Sequence, residues 1–337
     1  MENRHLGMQS MEFGSAPVIS AWTSVAGKKE ADGPLGSSFE AVCQDSLLGK
    51  KTWEQAEQAM QHMALRRLLR KAELSREDLQ MVFSGDLLNQ CTGSSFCLRN
   101  TGIPHVGLYG ACSTMAEALI LAALTVGGGF ADRAAAMTSS HFCRSERQYR
   151  FPLDYGGQRT PTSQWTVTGA GAALIASGGQ GPRITGCTLG TVTDLGITDA
   201  NNMGAAMAPA ALSTIKAHFE DFGTGPQDYD LILTGDLGQL GKELLMELAL
   251  REGISLGGKM ADCGCMIFDS PRQDTGSGGS GAGCSASVLC SYFLDRLSKG
   301  EYGRILFCGT GALLSPTTTQ QGLPIPGICH AVVLESP

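Results

Sequence analysis

The sequence predicts an α/β fold: alternating strands and helices in two similar halves, with predominantly parallel pairing. Three observations point there. Apolar strand-like stretches alternate with helical ones along the whole chain. A stretch ending Ser84-Gly85-Asp86-Leu87 has a later counterpart ending Thr234-Gly235-Asp236-Leu237. A buried helix opened by Gly110-Ala111-Cys112-Ser113 has a counterpart opened by Gly281-Ala282-Gly283-Cys284-Ser285, and the matches fall in the same order. The halves divide at Gly178-Gly179-Gln180-Gly181-Pro182, which gives 1–178, carrying Cys112, and 179–337.

Elements follow in order. Residues 1–15 are polar and expected to be loosely held. Ala16 to Val25 reads as the first strand, and Glu30 to Ser38 as a polar loop. Trp53 to Lys71 is amphipathic, with Ala56, Met60, Met63 and Leu68 on one side and charged residues on the other. Leu79 to Ser84 is a strand, Asn89 to Asn100 a loop or short helix, and His105 to Tyr109 a short strand. The run after Cys112 repeats apolar residues at helical spacing on every face, so it reads as a buried helix stopped by Gly127-Gly128-Gly129. Arg133 to Ser139 is a strand. Ser140 to Thr166 is a long polar loop, of a length that is usually functional or oligomeric. Gly169 to Ser177 is a strand. In the second half, Arg183 to Val192, Tyr229 to Thr234, Arg304 to Gly309 and Ile328 to Glu335 read as strands. Ala205 to Phe222, Leu240 to Arg251 and Cys284 to Leu297 read as helices.

Composition limits the function. The 337 residues, 42% hydrophobic, suffice for one large or two medium domains with a substantial core. The 45 glycines favour tight turns and closely packed layers. A net charge of -7 argues against non-specific nucleic-acid binding. The 12 cysteines sit mostly in apolar runs, such as Leu289-Cys290-Ser291, and the opening MENRHLGMQSME has no apolar leader core. Reduced cysteines in a cytosol-like compartment are therefore expected. No uncharged apolar run reaches ~18 residues, so no transmembrane helix is expected.

Cys112 is the first candidate functional residue. At a helix N-terminus it meets unpaired N–H groups and the positive end of the dipole, which favour thiolate and make a nucleophile. The residues alone equally describe a small core cysteine. Asp86 and Asp236 end matching strands and read either as acids at a pocket mouth or as turn formers. His141 begins the long loop, as a ligand contact or as a solvent or dimer contact. Arg144, Arg147 and Arg150 form a basic run that is a solvated face unless a dianion lies near. Gly276 to Gly281 fits G-x-G-x-x-G without a dinucleotide-binding context, so it reads as a ligand-approaching loop. Cys263 and Cys265 lack further metal ligands at suitable spacing, and Cys91 and Cys97 read as core residues. No cofactor and no metal are expected.

The cysteine-headed helix, its second-half counterpart, the long loop, the Gly169 to Leu174 strand and the closing Gly309-Thr310-Gly311-Ala312 together resemble the thiolase and ketoacyl-synthase fold. That is a layered αβαβα arrangement of two pseudo-duplicated halves. Within it the chain is similar to the stage V sporulation protein AD family, of the dipicolinic acid channel of bacterial spores. Pro17 to Ala21, SGDLLNQ from Ser84, YGACSTMAEAL from Tyr109 and SSHFC from Ser139 carry that similarity.

The chain departs from the condensing enzymes of this fold. They work their cysteine with a histidine after a second-half strand, and with a histidine or asparagine before the second-half helix. Here those places read Thr234-Gly235-Asp236 and Gly279-Ser280-Gly281-Ala282. The second-half histidines, His218 and His330, fall inside a helix and a strand. The resemblance therefore implies a non-catalytic binder with Cys112 as a vestigial nucleophile. Its guest would be dipicolinic acid or the calcium chelate, for uptake into the developing spore. Cys112, Ser113, Ser280 and Thr310 would line the pocket, with Asp86, His141 and Asp236 around it. The implied partners are membrane-embedded channel subunits and a second copy in a homodimer. The implied location is the cytoplasmic side of the spore inner membrane, peripherally bound. The alternative is an acyl-CoA or acyl-carrier condensing enzyme with Cys112 as nucleophile and Asp236 or His141 as partner.

Overall fold

The structure, a computed structural model, describes residues 2–149 and 159–337. It opens with a hairpin of β1 (Arg4–Leu6) and β2 (Ser10–Glu12), then β3 (Val18–Gly27), the short α1 (Lys28–Ala31) and β4 (Ala41–Cys43). Next come α2 (Trp53–Lys71), β5 (Met81–Gly85), α3 (Thr92–Leu98), β6 (His105–Leu108), α4 (Thr114–Gly127) and β7 (Arg133–Ser140). α5 (Phe142–Tyr149), β8 (Trp165–Thr166) and β9 (Gly169–Ala176) follow. After Arg183 the order is β10 (Arg183–Thr188), α6 (Met203–Phe222), β11 (Leu231–Thr234), α7 (Gly238–Arg251), β12 (Met260–Asp262), α8 (Cys263–Ile267) and α9 (Ser270–Gln273). The chain closes with β13 (Gly279–Ser280), α10 (Ala282–Val288), α11 (Leu294–Ser298), β14 (Arg304–Ala312), α12 (Pro316–Gln320) and β15 (Gly327–Glu335).

Two strand series repeat one topology. The first runs β3-β9-β7-β5-β6 and the second β10-β15-β14-β11-β12. In each, the first three strands pair antiparallel and the last three parallel. The series meet where Arg183 of β10 pairs with Val18 of β3.

Side-chain alternation builds three apolar layers from these strands. Leu231, Leu233, Ile305, Phe307, Val332 and Leu334 face a central cluster with Ala134, Ala136, Ala173 and Ile175. That cluster is filled by α4 and α10, the two buried helices. Ile232, Leu306, Ala331 and Val333 turn the other way, onto α6 and α7. Val82, Ala135, Met137, Ala172 and Leu174 turn onto α2 and α3. The result is helices, strands, helices, strands, helices.

Several expectations change. Pairing is mixed rather than predominantly parallel, because β9 and β15 run against both neighbours. A parallel return needs a crossover helix along the sheet, and the 313–326 connection into β15 holds only the five-residue α12. The described residues of the expected loose stretch, 2–15, are ordered in part by pairing and burial. β2 adds to β10, and Phe13 is buried in the central cluster. The long loop contains α5, whose buried side is Arg144, Ser145 and Glu146 rather than apolar, so apolar spacing does not reveal it. Arg150 and Asp154 of that loop lie outside the described residues. The expected Cys284 to Leu297 helix is broken by a π turn over Leu289–Phe293.

Close approach of backbones fixes the layer spacing. A Cβ on Gly171 of β9 would lie 2.2 Å from the carbonyl oxygen of Ala286 in α10. Gly171→Ala should therefore destabilise the protein by roughly 1–3 kcal/mol, since the neighbour is backbone and cannot rotate away. Urea unfolding measures this; an unchanged midpoint would contradict the packing described.

Candidate functional site

Cys112 sits on a strained turn between β6 and α4. Ala111 adopts φ +51°, a left-handed conformation that a non-glycine residue holds only when neighbours enforce it. Here they do. The Ser113 hydroxyl donates to Gly110 O at 2.6 Å, the Thr114 hydroxyl to Ala111 O at 2.7 Å, and Gly110 N–H to the Thr114 hydroxyl at 3.1 Å. β14 presses on this turn. A Cβ on Gly311 would lie 2.5 Å from Gly110 O, and one on Gly309 would lie 2.6 Å from the Ala116 Cβ. Glycine at both places lets Thr310 reach the site.

Beside the cysteine stands a buried carboxylate. Asp236 follows β11. Its Oδ1 accepts from the Thr310 hydroxyl at 2.9 Å, and its Oδ2 from the Ser280 hydroxyl at 3.0 Å and Gly281 N–H at 2.8 Å. The Thr310 hydroxyl oxygen also accepts from Asp236 N–H at 3.0 Å. Ser280 Oγ in turn lies 3.8 Å from Cys112 Sγ. Burial pushes the Asp236 carboxyl up to about 6, against the pull of its hydrogen bonds. Burial, and then the Asp236 charge, hold the Cys112 thiol well above its ordinary range. Of the two readings of Cys112, the thiolate is the disfavoured one: what the helix end offers an anion is outweighed by a dry site with an anion already in it.

A second layer fixes the Asp236 turn. Asp262, at the end of β12, accepts from Leu237 N–H at 2.8 Å, Gly238 N–H at 3.1 Å and the Thr234 hydroxyl at 2.7 Å. Gln164 donates to Asp236 O at 2.7 Å and Gly279 O at 2.9 Å, tying β8 to the same place. Leu87 and Ala282 pack on Cys112, with Tyr149 of α5 against them. The Tyr149 hydroxyl donates to Leu87 O and meets the Tyr109 hydroxyl at 3.0 Å.

Cys112, Ser280, Asp236 and Thr310 of the sequence-derived residues come together. Ser113 is adjacent but its hydroxyl is committed to the turn. Asp86 is elsewhere engaged, accepting from Leu88 N–H at 3.0 Å and from both N–H and hydroxyl of Ser94 at 2.8 and 2.9 Å. It is a turn former at the start of α3. His141 Nε2 donates to Ser46 O at 2.7 Å, in a separate cleft of about 480 Å³ shared with Lys29, Phe142 and Trp165.

The other histidines are also accounted for. His105 meets Ser84, His218 lies between Thr188 and Tyr229, and His330 accepts from Gly190 N–H. His5 lies in the β1 hairpin strand and His62 on the outer helix α2. Arg144 is not a ligand donor. It is fully buried, 2.7 Å from Glu57, and also donates to Thr92 at 3.2 Å. The Ser139 hydroxyl donates to the other Glu57 oxygen at 2.6 Å. This pair holds α5, and so Tyr149, against α2. Arg147 pairs with Glu54. The end of the glycine-rich segment, Gly279–Ser280, is buried and forms β13, which pairs with β8. Residues that the sequence reading missed are Gln164, Asp262, Leu87 and Tyr149. Each lies far along the chain from Cys112 or acts through a backbone atom, and no spacing signals either.

Among the described residues no helix is long and apolar enough to cross a membrane. None of their His, Cys, Asp and Glu side chains form a group of three or more placed to hold a metal ion.

Comparison with known proteins follows from this geometry. The family described as stage V sporulation protein AD matches residues 7–335. The Bacillus subtilis (strain 168) stage V sporulation protein AD is 44% identical over 329 residues, covering 98% of this chain and 97% of that protein. The crystal structure of 3-oxoacyl-[acyl-carrier-protein] synthase III from Aquifex aeolicus is similar with a TM-score of 0.57 at 14% identity, over 95% of this chain and 99% of that one. A Xanthomonas campestris OleA variant gives a TM-score of 0.57 at 17% identity, over 98% and 99%. The fold is thus the thiolase-like one.

The buried carboxylate makes a pH prediction. The folded value of Asp236, about 6, lies above the ordinary carboxylate range. The native state therefore keeps a proton that the unfolded chain releases near pH 4. The stability this proton carries is present below pH ~4 and lost as pH rises to ~6, by roughly 2–3 kcal/mol. Urea unfolding across that range should show the fall, and Asp236→Asn should make it shallower, the rest coming from the other raised buried carboxyls, Glu30, Glu57 and Asp262. An identical slope in the variant would remove Asp236 as a titrating group.

Proposed function

Because this chain belongs to the stage V sporulation protein AD family, we propose that the Cys112 site holds dipicolinic acid as its calcium chelate, without transforming it, for uptake into the developing spore. One observation carries the non-catalytic part. The polar side chains at the cysteine are Ser280 and the Asp236 carboxylate, and all six histidines of the chain are bonded or placed elsewhere. Acyl transfer from a thiol needs a group that takes its proton and another that stabilises developing negative charge. An anion locked by three donors and facing the sulfur opposes the second, since it disfavours negative charge developing beside it.

The same anion bears on the form of the guest. Dipicolinate is a dianion, and an ionised Asp236 repels it in a dry site. Its one-to-one calcium chelate carries no net charge, and calcium accepts further oxygen ligands. Leu87, Ala282 and Tyr149 offer apolar surface for a flat ring. Delivery to membrane-embedded channel subunits would make this chain a peripheral component on the cytoplasmic side of the spore inner membrane.

A condensing enzyme is the second reading, favoured by the strained Ala111 turn that presents Cys112. Two measurements separate them. Calorimetry near pH 7 should show heat with dipicolinate plus calcium, and less with dipicolinate alone. Intact-mass analysis after incubation with acyl-CoA should show no adduct. Absence of heat at millimolar ligand, with the protein folded, would sink the binder. An acyl adduct that disappears in Cys112→Ser would establish the enzyme.

A homodimer is part of the proposal. β6 ends the first strand series, and its outer edge has no strand partner among the described residues. Val106 and Tyr109 beside it are 40% and 44% exposed. An open edge with apolar side chains is a ready pairing surface. Sedimentation should find a dimer at micromolar concentration, shifted toward monomer by Val106→Lys. A monomer in the unsubstituted protein would end this part.

A further inference from the structure

A basic groove runs along the outer face of α2, far in the layer order from the Cys112 site. It is a concave space of about 1140 Å³, and Lys50, Arg66, Arg67, Arg70, Arg76 and Arg99 line it. Among the described residues that line it there is no aspartate or glutamate. This is a concentration of positive charge on a chain whose net charge is -7. Among the described residues, Arg67 is the one of the six in an ion pair within 4 Å, with Glu40 at 3.9 Å, and Arg76 also feels the charge of its neighbour Glu77. Lys50, Arg66, Arg70, Arg76 and Arg99 are exposed. His62, half-buried among them, is held below its ordinary value by burial, then by the charges of Arg66 and Arg76.

Shape adds to charge. The lining follows α2 from Gln55 to Arg70, about 22 Å at the helical rise. Ala59, Met63, Leu69 and Leu74 supply apolar floor. Phe96 is 48% exposed at the rim, with the Arg99 guanidinium 5.2 Å from its ring centre. Like charges brought together without counter-ions cost stability, and packing does not require arginine at exposed positions. A planar lipid surface would meet only the rim of such a concavity. A chain segment would fill its length.

We propose that this groove docks an acidic segment of a partner protein, with glutamates or aspartates interspersed among apolar residues, laid along α2. The carboxylates would pair with the exposed arginines and the apolar residues would cover Met63 and Leu74. The inference stands independently of what the Cys112 site holds.

The test uses the full chain and a fluorescein-labelled 15-residue peptide with glutamate and leucine at helical spacing, read by anisotropy. Binding is expected near ~50 mM salt and should weaken at ~300 mM. Arg66→Glu with Arg70→Glu should weaken it by ~10-fold or more, and a lysine-for-glutamate peptide should bind the reversed protein better than the original. Arg66→Gln with Arg70→Gln provides a second variant should the reversed one misfold, which thermal unfolding reports. No binding of the acidic peptide would overturn the proposal, as would equal binding by the reversed protein. So would arginine-dependent binding of phosphatidylglycerol vesicles or of a 15-nucleotide DNA strand in preference to the peptide. A change in sedimentation on charge reversal would instead make the groove a contact between copies of this chain, and would equally overturn it. Dipicolinate calorimetry on the reversed protein should match the original, so failure here leaves the Cys112 reading untouched.

Discussion

The arrangement around Cys112 depends on one buried carboxylate. Asp236 gathers Ser280, Gly281 and Thr310, which lie 44, 45 and 74 residues along the chain. Removing a carboxylate from water costs several kcal/mol unless its oxygens are satisfied. That requirement explains residues that otherwise look arbitrary. Gly281 stands at φ +108° so that its N–H meets Oδ2, and a Cβ there would lie 2.7 Å from Ser140 Oγ. Thr310 is flanked by glycines because β14 must pass against the Cys112 turn to bring a hydroxyl to Oδ1. Two remote segments are thus held in one place by an acid that neither could bury alone.

Around this centre, further polar contacts act by fixing backbone. Asp262 holds the N–H groups after Asp236, and Gln164 takes its carbonyl, so the carboxylate's position is set from both sides. On the other side of the site, Glu57 and Arg144 form a fully buried ion pair. Such a pair adds little net stability, yet breaking one partner leaves an uncompensated charge. Its effect here is positional. α5 is held on α2, and Tyr149 at its end stands over Leu87 and Cys112. A site assembled this way is held by fixed backbone on both sides.

Much of the fold was legible because strand alternation and the all-apolar run after Cys112 report burial directly. The repeated Ser-Gly-Asp and Thr-Gly-Asp strand ends also signalled the shared topology. Of those two aspartates only Asp236 reaches the site, while Asp86 is taken by Ser94 and Leu88. Nothing local distinguishes them, since the difference lies in which distant segment arrives. α5 was hidden because its buried face is Arg144 and Glu146, the reverse of the usual pattern. The mixed pairing was hidden because strand direction depends on how connections return, not on strand composition. Cys112 is legible as a position, but its protonation is not. A helix terminus is visible in sequence, whereas the Asp236 charge beside it comes from 124 residues further on.

Condensing enzymes and this chain share a fold at 14–17% identity, and such a scaffold hosts unrelated activities. The sign of the charge facing the sulfur sets its protonation. A positive neighbour lowers the thiol toward thiolate; Asp236, ionised above about pH 6, drives it the other way. Losing the carboxylate would remove the anchor for Ser280, Gly281 and Thr310. The same side chain that gathers these residues therefore holds the Cys112 thiol toward its neutral form.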